Sequence, residues 1–189
     1  MNFALLGDDP AVLPLVRAIA LQQEHQIVWA VLAGSLEREL NRIAPGMQFL
    51  PGWDRLLTAG DVNSVIVCGT DSSILEGAKQ IAAAGKPLVI YPQGTQGSTW
   101  IYELGLIRDE GHTRIAPVFA DRLRPSFSLL RQTIDSGLIG RVLYLQIDRE
   151  IVPTQTAEGP ALLTRGEVED ALLRDVDLLR ELGGDYGRV

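Results

Sequence analysis

Residues 64–91 read "SVIVCGTDSSILEGAKQIAAAGKPLVIY". "SVIVCG" (64–69) and "KPLVIY" (86–91) are apolar without alternation, the pattern of strands buried on both faces. Between them, "DSSILEGAKQIAAAG" (71–85) carries helical periodicity, with Asp71 or Ser72 placed to cap its start and Gly85 to end it. A strand, a covering helix and a second strand make one right-handed crossover of a parallel sheet.

The same alternation extends outward in both directions. "FALL" (3–6), "QIVWAVL" (26–32), "MQFL" (47–50) and "TRIAPVFA" (113–120) read as further strands. Residues 10–23 place Val12, Leu15, Val16, Ile19 and Ala20 on one helical stripe. "SLERELNRI" (35–43) reads as a helix with Ser35 as its N-cap, "GWDRLLTAG" (52–60) as a short helix, and 97–109 as another. The fold class is therefore α/β, a doubly wound parallel sheet over residues 1–120. Ligands of such sheets bind beyond the carboxyl ends of the strands. That edge comprises Gly7–Pro10, Ala33–Ser35, Gly69–Ser73 and Tyr91–Gly94.

The pattern changes after residue 120. "RPSFSLLRQTIDSGLIG" (124–140) reads as a helix with a glycine stop, and "RVLYLQID" (141–148) as a half-exposed strand. "VPTQTAEGP" (152–160) is a polar loop, and "EVEDALLRDVDLLREL" (167–182) an amphipathic helix. Residues 121–189 thus form a partial α+β segment. A lone strand needs partners, so segment 141–182 is expected to pack on the first domain, to self-associate with another chain into a homo-oligomer, or to be the start of a truncated second domain.

The 189 residues are 46% hydrophobic and 22% charged, a globular balance. Acidic residues outnumber basic ones 24 to 17, for a net charge of −7. A broad nucleic-acid footprint needs the opposite balance. Cys68 is the single cysteine, within an apolar run, and is expected to be an inert buried thiol with no disulfide or cysteine-based metal cage. No apolar run reaches the roughly 20 residues of a membrane span. The N-terminus reads as a structural strand rather than a signal peptide, so the cytoplasm is the expected compartment. His25, read at a helix end, and His112, in a turn, have no metal-ligand company.

A dinucleotide-binding turn needs three glycines: one for the tight turn, one for close approach of the diphosphate, one for helix packing. Here those positions read Gly7, Asp9 and Val12. Asp9, followed by Pro10, is a good helix cap, and its carboxylate would sit where a phosphate is otherwise welcomed. Asp8 adds a second negative charge. The second strand ends in Ala33 and Gly34, without the acid that holds an adenosine ribose; Ser35 is either a ribose ligand or a cap. Ser72 and Ser73 have no histidine partner for nucleophilic chemistry. Arg122 and Arg124 make a small basic spot open to a phosphate or to solvent.

In order and spacing, the chain resembles the Gfo/Idh/MocA oxidoreductases. The likeness is carried by the opening strand, Gly7 and helix, by residues 60–93, by "VFADRLRPSFSLLRQTIDSGLIGRVLYLQ" (118–146) and by "ALLRDVDLLRELGG" (171–184). It implies a Rossmann domain, an NAD or NADP cofactor and a sugar or polyol substrate. It also implies where the chemistry should lie, and there this chain departs. The family's Thr-Pro-Asn turn is Thr70-Asp71-Ser72, with Thr70 retained to line a pocket. Its Glu-Lys-Pro is Tyr91-Pro92-Gln93, so the lysine position falls on Pro92, which has no titratable group. Gln93 can orient a ligand but not relay a proton. Tyr91 is either an acid or an aromatic wall. In the last helix the histidine position holds Arg174, while Asp177 is retained. Arg174 is either an anion ligand or the ion-pair partner of Asp177 at i, i+3.

Three readings follow. One is an oxidoreductase relative with impaired or absent catalysis and at most residual NAD(P)-type nucleotide binding. Its cofactor-edge residues are Gly7, Asp8, Asp9, Gly34, Ser35, Thr70, Asp71 and Pro92, and its catalytic candidates are Tyr91, Gln93, Arg174 and Asp177. The second is the N-terminal part of a functional NAD(P)-dependent dehydrogenase acting on a sugar or polyol. The third is a nucleotide- or CoA-binding domain using the loop "GTQGST" (94–99). In each, the partner is a small molecule at the carboxyl edge of the sheet, with no metal, nucleic acid or membrane.

Overall fold

The computed structural model describes residues 1–91, 98–151, 155–156, 159–160, 163 and 165–184. It divides into two compact units, Met1–Val118 and Phe119–Val189.

The first unit holds a six-stranded, all-parallel sheet. Its strands are β1 (Asn2–Leu6), β2 (Gln26–Val31), β3 (Gln48–Leu50), β4 (Ser64–Val67), β5 (Leu88–Ile90) and β6 (Ile115–Pro117), in the order β3-β2-β1-β4-β5-β6. The helices are α1 (Leu13–Ala20), α2 (Glu37–Ile43), α3 (Asp54–Thr58), α4 (Ser72–Ala83) and α5 (Ser98–Gly111). This is the doubly wound Rossmann-like arrangement that the alternating pattern implies. Its order reverses between β1 and β4.

Strand side chains alternate between two cores. Ala4, Leu6, Val65, Val67, Leu88 and Ile90 face α3, α4 and α5, meeting Leu56, Ile74, Ala78, Ile81, Trp100 and Leu104. Leu5, Ile66 and Cys68 face α1 and α2, meeting Val16, Ile19 and Leu40. Both sheet faces are thereby dry, which is why the strands read as continuous apolar runs. Each fully buried aliphatic side chain contributes about 1.5–3 kcal/mol. Trp100 satisfies its indole N–H on the Leu75 carbonyl at 3.0 Å, tying α5 to α4.

Ser35 is not a helix cap. Leu32 (φ 53°) and Gly34 (φ 47°) take left-handed backbone after β2, and the chain folds into a 3-10 turn at Gly34–Leu36. The turn starts before Ser35, and the N-cap of α2 is Leu36, with no side-chain hydrogen bond. His25 does not sit at a helix end either. α1 stops at Ala20, and the imidazole lies before β2, edge-on to Phe3 with centroids 6.0 Å apart.

In the second unit, α6 (Pro125–Asp135) ends in a turn with Gly137 at φ 72°. β7 (Gln155–Thr156) and β8 (Gly159–Pro160) pair antiparallel within the segment read as a loop. α7 (Arg165–Gly183) is the amphipathic helix. Residues 141–148 form no strand. Their alternation is real, but among the described residues no neighbouring strand offers ladder hydrogen bonds, and Leu143 and Tyr144 stay 88% and 78% exposed.

Candidate functional site

The carboxyl edge of the sheet gathers Gly7–Asp9 after β1, Leu32–Ser35 after β2 and Cys68–Asp71 after β4. Gly7 is required by close approach. At φ 121°, a Cβ there would lie 1.6 Å from the Cys68 carbonyl oxygen. The glycine therefore lets the β1 turn cross the end of β4, while its own amide donates to Val31 at 2.9 Å.

Beyond Gly7, the amides of Asp9, Ala11, Val12 and Leu13 all have partners within the chain. Asp9 caps the turn Pro10–Val12, its Oδ1 accepting from the Ala11 amide at 2.7 Å. The Val12 amide donates to the Asp9 carbonyl at 3.1 Å, and the Leu13 amide to the Pro10 carbonyl. Pro10 has no amide hydrogen. The Asp9 amide points toward the Cys68 sulfur, where it eases the ionisation that burial opposes. Burial prevails, and with Asp8 and Asp9 adding negative charge nearby it pushes the Cys68 thiol up to about 12. Cys68 is thus a neutral, inert core group.

Asp8 is the exposed member of the pair. Its carboxylate lies between the turns after β2 and β4. Oδ2 is 3.3 Å from the place a Cβ on Gly34 would take, and Oδ1 3.7 Å from that of Gly69. The edge is therefore open where Gly34 and Gly69 lack side chains. Gly34 and Ser35 also line a groove of about 800 Å³ with Arg38, Asn41 and Phe49.

Thr70 and Asp71 are exposed at the same edge. Asp71, rather than Ser72, caps α4. Its Oδ1 accepts from the Ser73 hydroxyl at 2.6 Å and the Ser73 amide at 2.8 Å, and these bonds hold its carboxyl below the usual range. Ser73 is thus the partner of the Asp71 cap. Tyr91 is half-buried against the core under α1 and α2. Pro92, Gln93 and the loop residues 94–97 lie outside the described residues.

Arg174 and Asp177 belong to the second unit, and they do not pair with each other. Arg174 meets Asp170 at 2.7 Å, an i, i+4 contact. Asp177, only 8% exposed, takes a bidentate pair from Arg122, whose Nε lies 2.6 Å from Oδ2. Arg122 also meets Glu181 at 2.9 Å, and Arg124 meets Asp121 at 2.9 Å. The basic spot read at Arg122 and Arg124 is thereby neutralised within the chain. An arginine's planar fork matches a carboxylate's two oxygens, so Arg122 outcompetes a helix neighbour that reaches sideways. Among the described residues no group of His, Cys, Asp and Glu could hold a metal, and no helix is long and apolar enough to cross a membrane.

Neither a protein-family profile nor a curated protein sequence matches the chain. Solved structures do. A protein assigned as a myo-inositol dehydrogenase from Sinorhizobium meliloti 1021 superposes with TM-score 0.77 at 19% identity, over 98% of this chain and 56% of its own. The fold is that of the Gfo/Idh/MocA-type dehydrogenases. An oxidoreductase from Desulfitobacterium hafniense, assigned as NADPH-dependent, gives 0.72 at 17% identity over 97% of this chain and 55% of its own. The scyllo-inositol dehydrogenase of Lactobacillus casei, solved with NAD(H) and scyllo-inositol, gives 0.61 at 16% identity over 75% and 42%. The chain spans little more than half the length of these Gfo/Idh/MocA-type structures.

Proposed function

We propose that this chain is a Gfo/Idh/MocA-like oxidoreductase relative whose catalysis is impaired and whose sheet edge keeps at most weak recognition of an NAD(P)-type nucleotide. One observation carries the reading. Asp9 and the turn behind it consume the amides of Ala11, Val12 and Leu13. A hydrogen bond to a charged group is worth about 1.5–3 kcal/mol. Losing three such donors weakens a micromolar diphosphate site by roughly 10³ to 10⁶. These residues do not fit a diphosphate in the manner of a glycine-rich turn.

The residue positions that the family resemblance makes catalytic support the same reading. Pro92 at the lysine position carries no proton, and Arg174 at the histidine position is held by Asp170. The competing reading, the N-terminal part of a working sugar or polyol dehydrogenase, draws support from the neighbour solved with NAD(H) and scyllo-inositol. Calorimetric titration with NADH and with NADPH separates the two. The expected result is no saturable heat at micromolar cofactor; saturation with a micromolar dissociation constant favours the working dehydrogenase.

A further inference from the structure

We infer that Asp8 supplies, from the turn after β1, the carboxylate that recognises the vicinal hydroxyls of a nucleoside ribose. The site would therefore take a nucleoside with a free 2′-hydroxyl. The inference rests on the reading that this edge retains nucleotide recognition without a diphosphate anchor, and it names the part retained.

An open Rossmann edge holds a ribose with an acid placed after β2. Here Ala33 is buried among the residues under α1 and α2, and Gly34 has no side chain. The space beside Gly34 nevertheless has a carboxylate. Asp8 Oδ2 stands 3.3 Å from where the first side-chain atom at residue 34 would be. The left-handed bend at Leu32 and Gly34 leaves that approach clear, and a Cβ at Gly34 would crowd it. Asp8 is exposed, and among the described residues it makes no hydrogen bond or ion pair. An ionised carboxylate accepts without donating, which suits two adjacent hydroxyls. The groove beyond Gly34, with Asn41 and Phe49 on its wall, gives a base somewhere to lie. A 2′-phosphate would instead set like charges against each other. Arg38 lines the same groove, and if it were the anchor the 2′-phosphate would be preferred.

The vicinal diol is chemistry that a free polyol shares, so the test carries both. Backbone amide shifts of the ¹⁵N-labelled protein are followed during titration to about 10 mM, a range that captures millimolar binding. The ligands are adenosine, 2′-deoxyadenosine, adenosine 2′-monophosphate and myo-inositol. Adenosine is expected to move the Asp8, Gly34 and Ser35 amides saturably, with the deoxy and 2′-phosphate compounds at least tenfold weaker. Asp8→Ala is expected to lose the adenosine response while its remaining spectrum is unchanged. The inference is overturned if adenosine moves nothing or if loss of the 2′-hydroxyl costs nothing. It is equally overturned if the 2′-phosphate binds best, if Asp8→Ala responds like the parent, or if only myo-inositol binds. Micromolar dinucleotide binding would end the proposed function; only the adenosine series and the Asp8 variant decide this inference.

Discussion

Gly7→Ala is expected to lose on the order of 4 kcal/mol or more of folding stability, a large share of what a domain of this size has. Two effects add. At φ 121° an L side chain is strained, and its Cβ would fall 1.6 Å from the Cys68 carbonyl oxygen. That oxygen is backbone at the end of a central strand, so relief requires parting β1 from β4 rather than turning a side chain. Gly85→Ala is the control. It also has positive φ, 80°, but no atom lies within 4 Å of the added Cβ. Strain alone there costs about 1–2 kcal/mol. Urea unfolding of the two variants checks the claim, and equal losses would mean that the turn does not need the close approach.

The second large effect is expected in the other unit. Arg122→Met leaves Asp177 as a carboxylate 8% exposed with its bidentate partner gone. Breaking fully buried pairs costs about 3–5 kcal/mol. The Arg122 side chain is 39% exposed, so solvent screens part of the pair and about 2 kcal/mol is expected. That corresponds to roughly 30-fold faster amide exchange along α7. Arg165→Met removes a helix pair whose arginine is 90% exposed, and should change exchange less than about threefold. Similar acceleration in both variants would place Asp177 outside any structural role.

The doubly wound sheet was legible because its signals are local. In residues 64–91 the apolar runs, Asp71 and Gly85 each do in the structure what their chemistry suggests, as Asp9 does at Pro10. The misreadings share one cause, which is that long-range geometry overrides a good local residue. Ser35 is a competent cap, but the bend at Leu32 and Gly34 starts the turn before it. Residues 141–148 alternate correctly yet have no ladder to join. Arg174 and Asp177 have helix spacing, but Arg122, 55 positions from Asp177, has the better geometry. The site was legible only as a set of departures from a known pattern. That Gly7 clears the Cys68 carbonyl, and that Asp8 reaches the empty place beside Gly34, depend on how three strand ends meet. No spacing in the chain encodes that meeting directly.

On the proposed reading, this fold has closed its own diphosphate cradle with Asp9. The most direct test is the dissociation constant for NADH of the parent chain beside that of Asp9→Gly, measured by calorimetry under identical conditions. Glycine at a helix cap costs only a few tenths of a kcal/mol, so the variant should fold normally. It frees the Ala11 amide and removes a negative charge from the turn. The parent is expected to bind no tighter than millimolar, and Asp9→Gly at least about tenfold tighter. A parent that already binds at micromolar concentration, with Asp9→Gly unchanged, would contradict that reading.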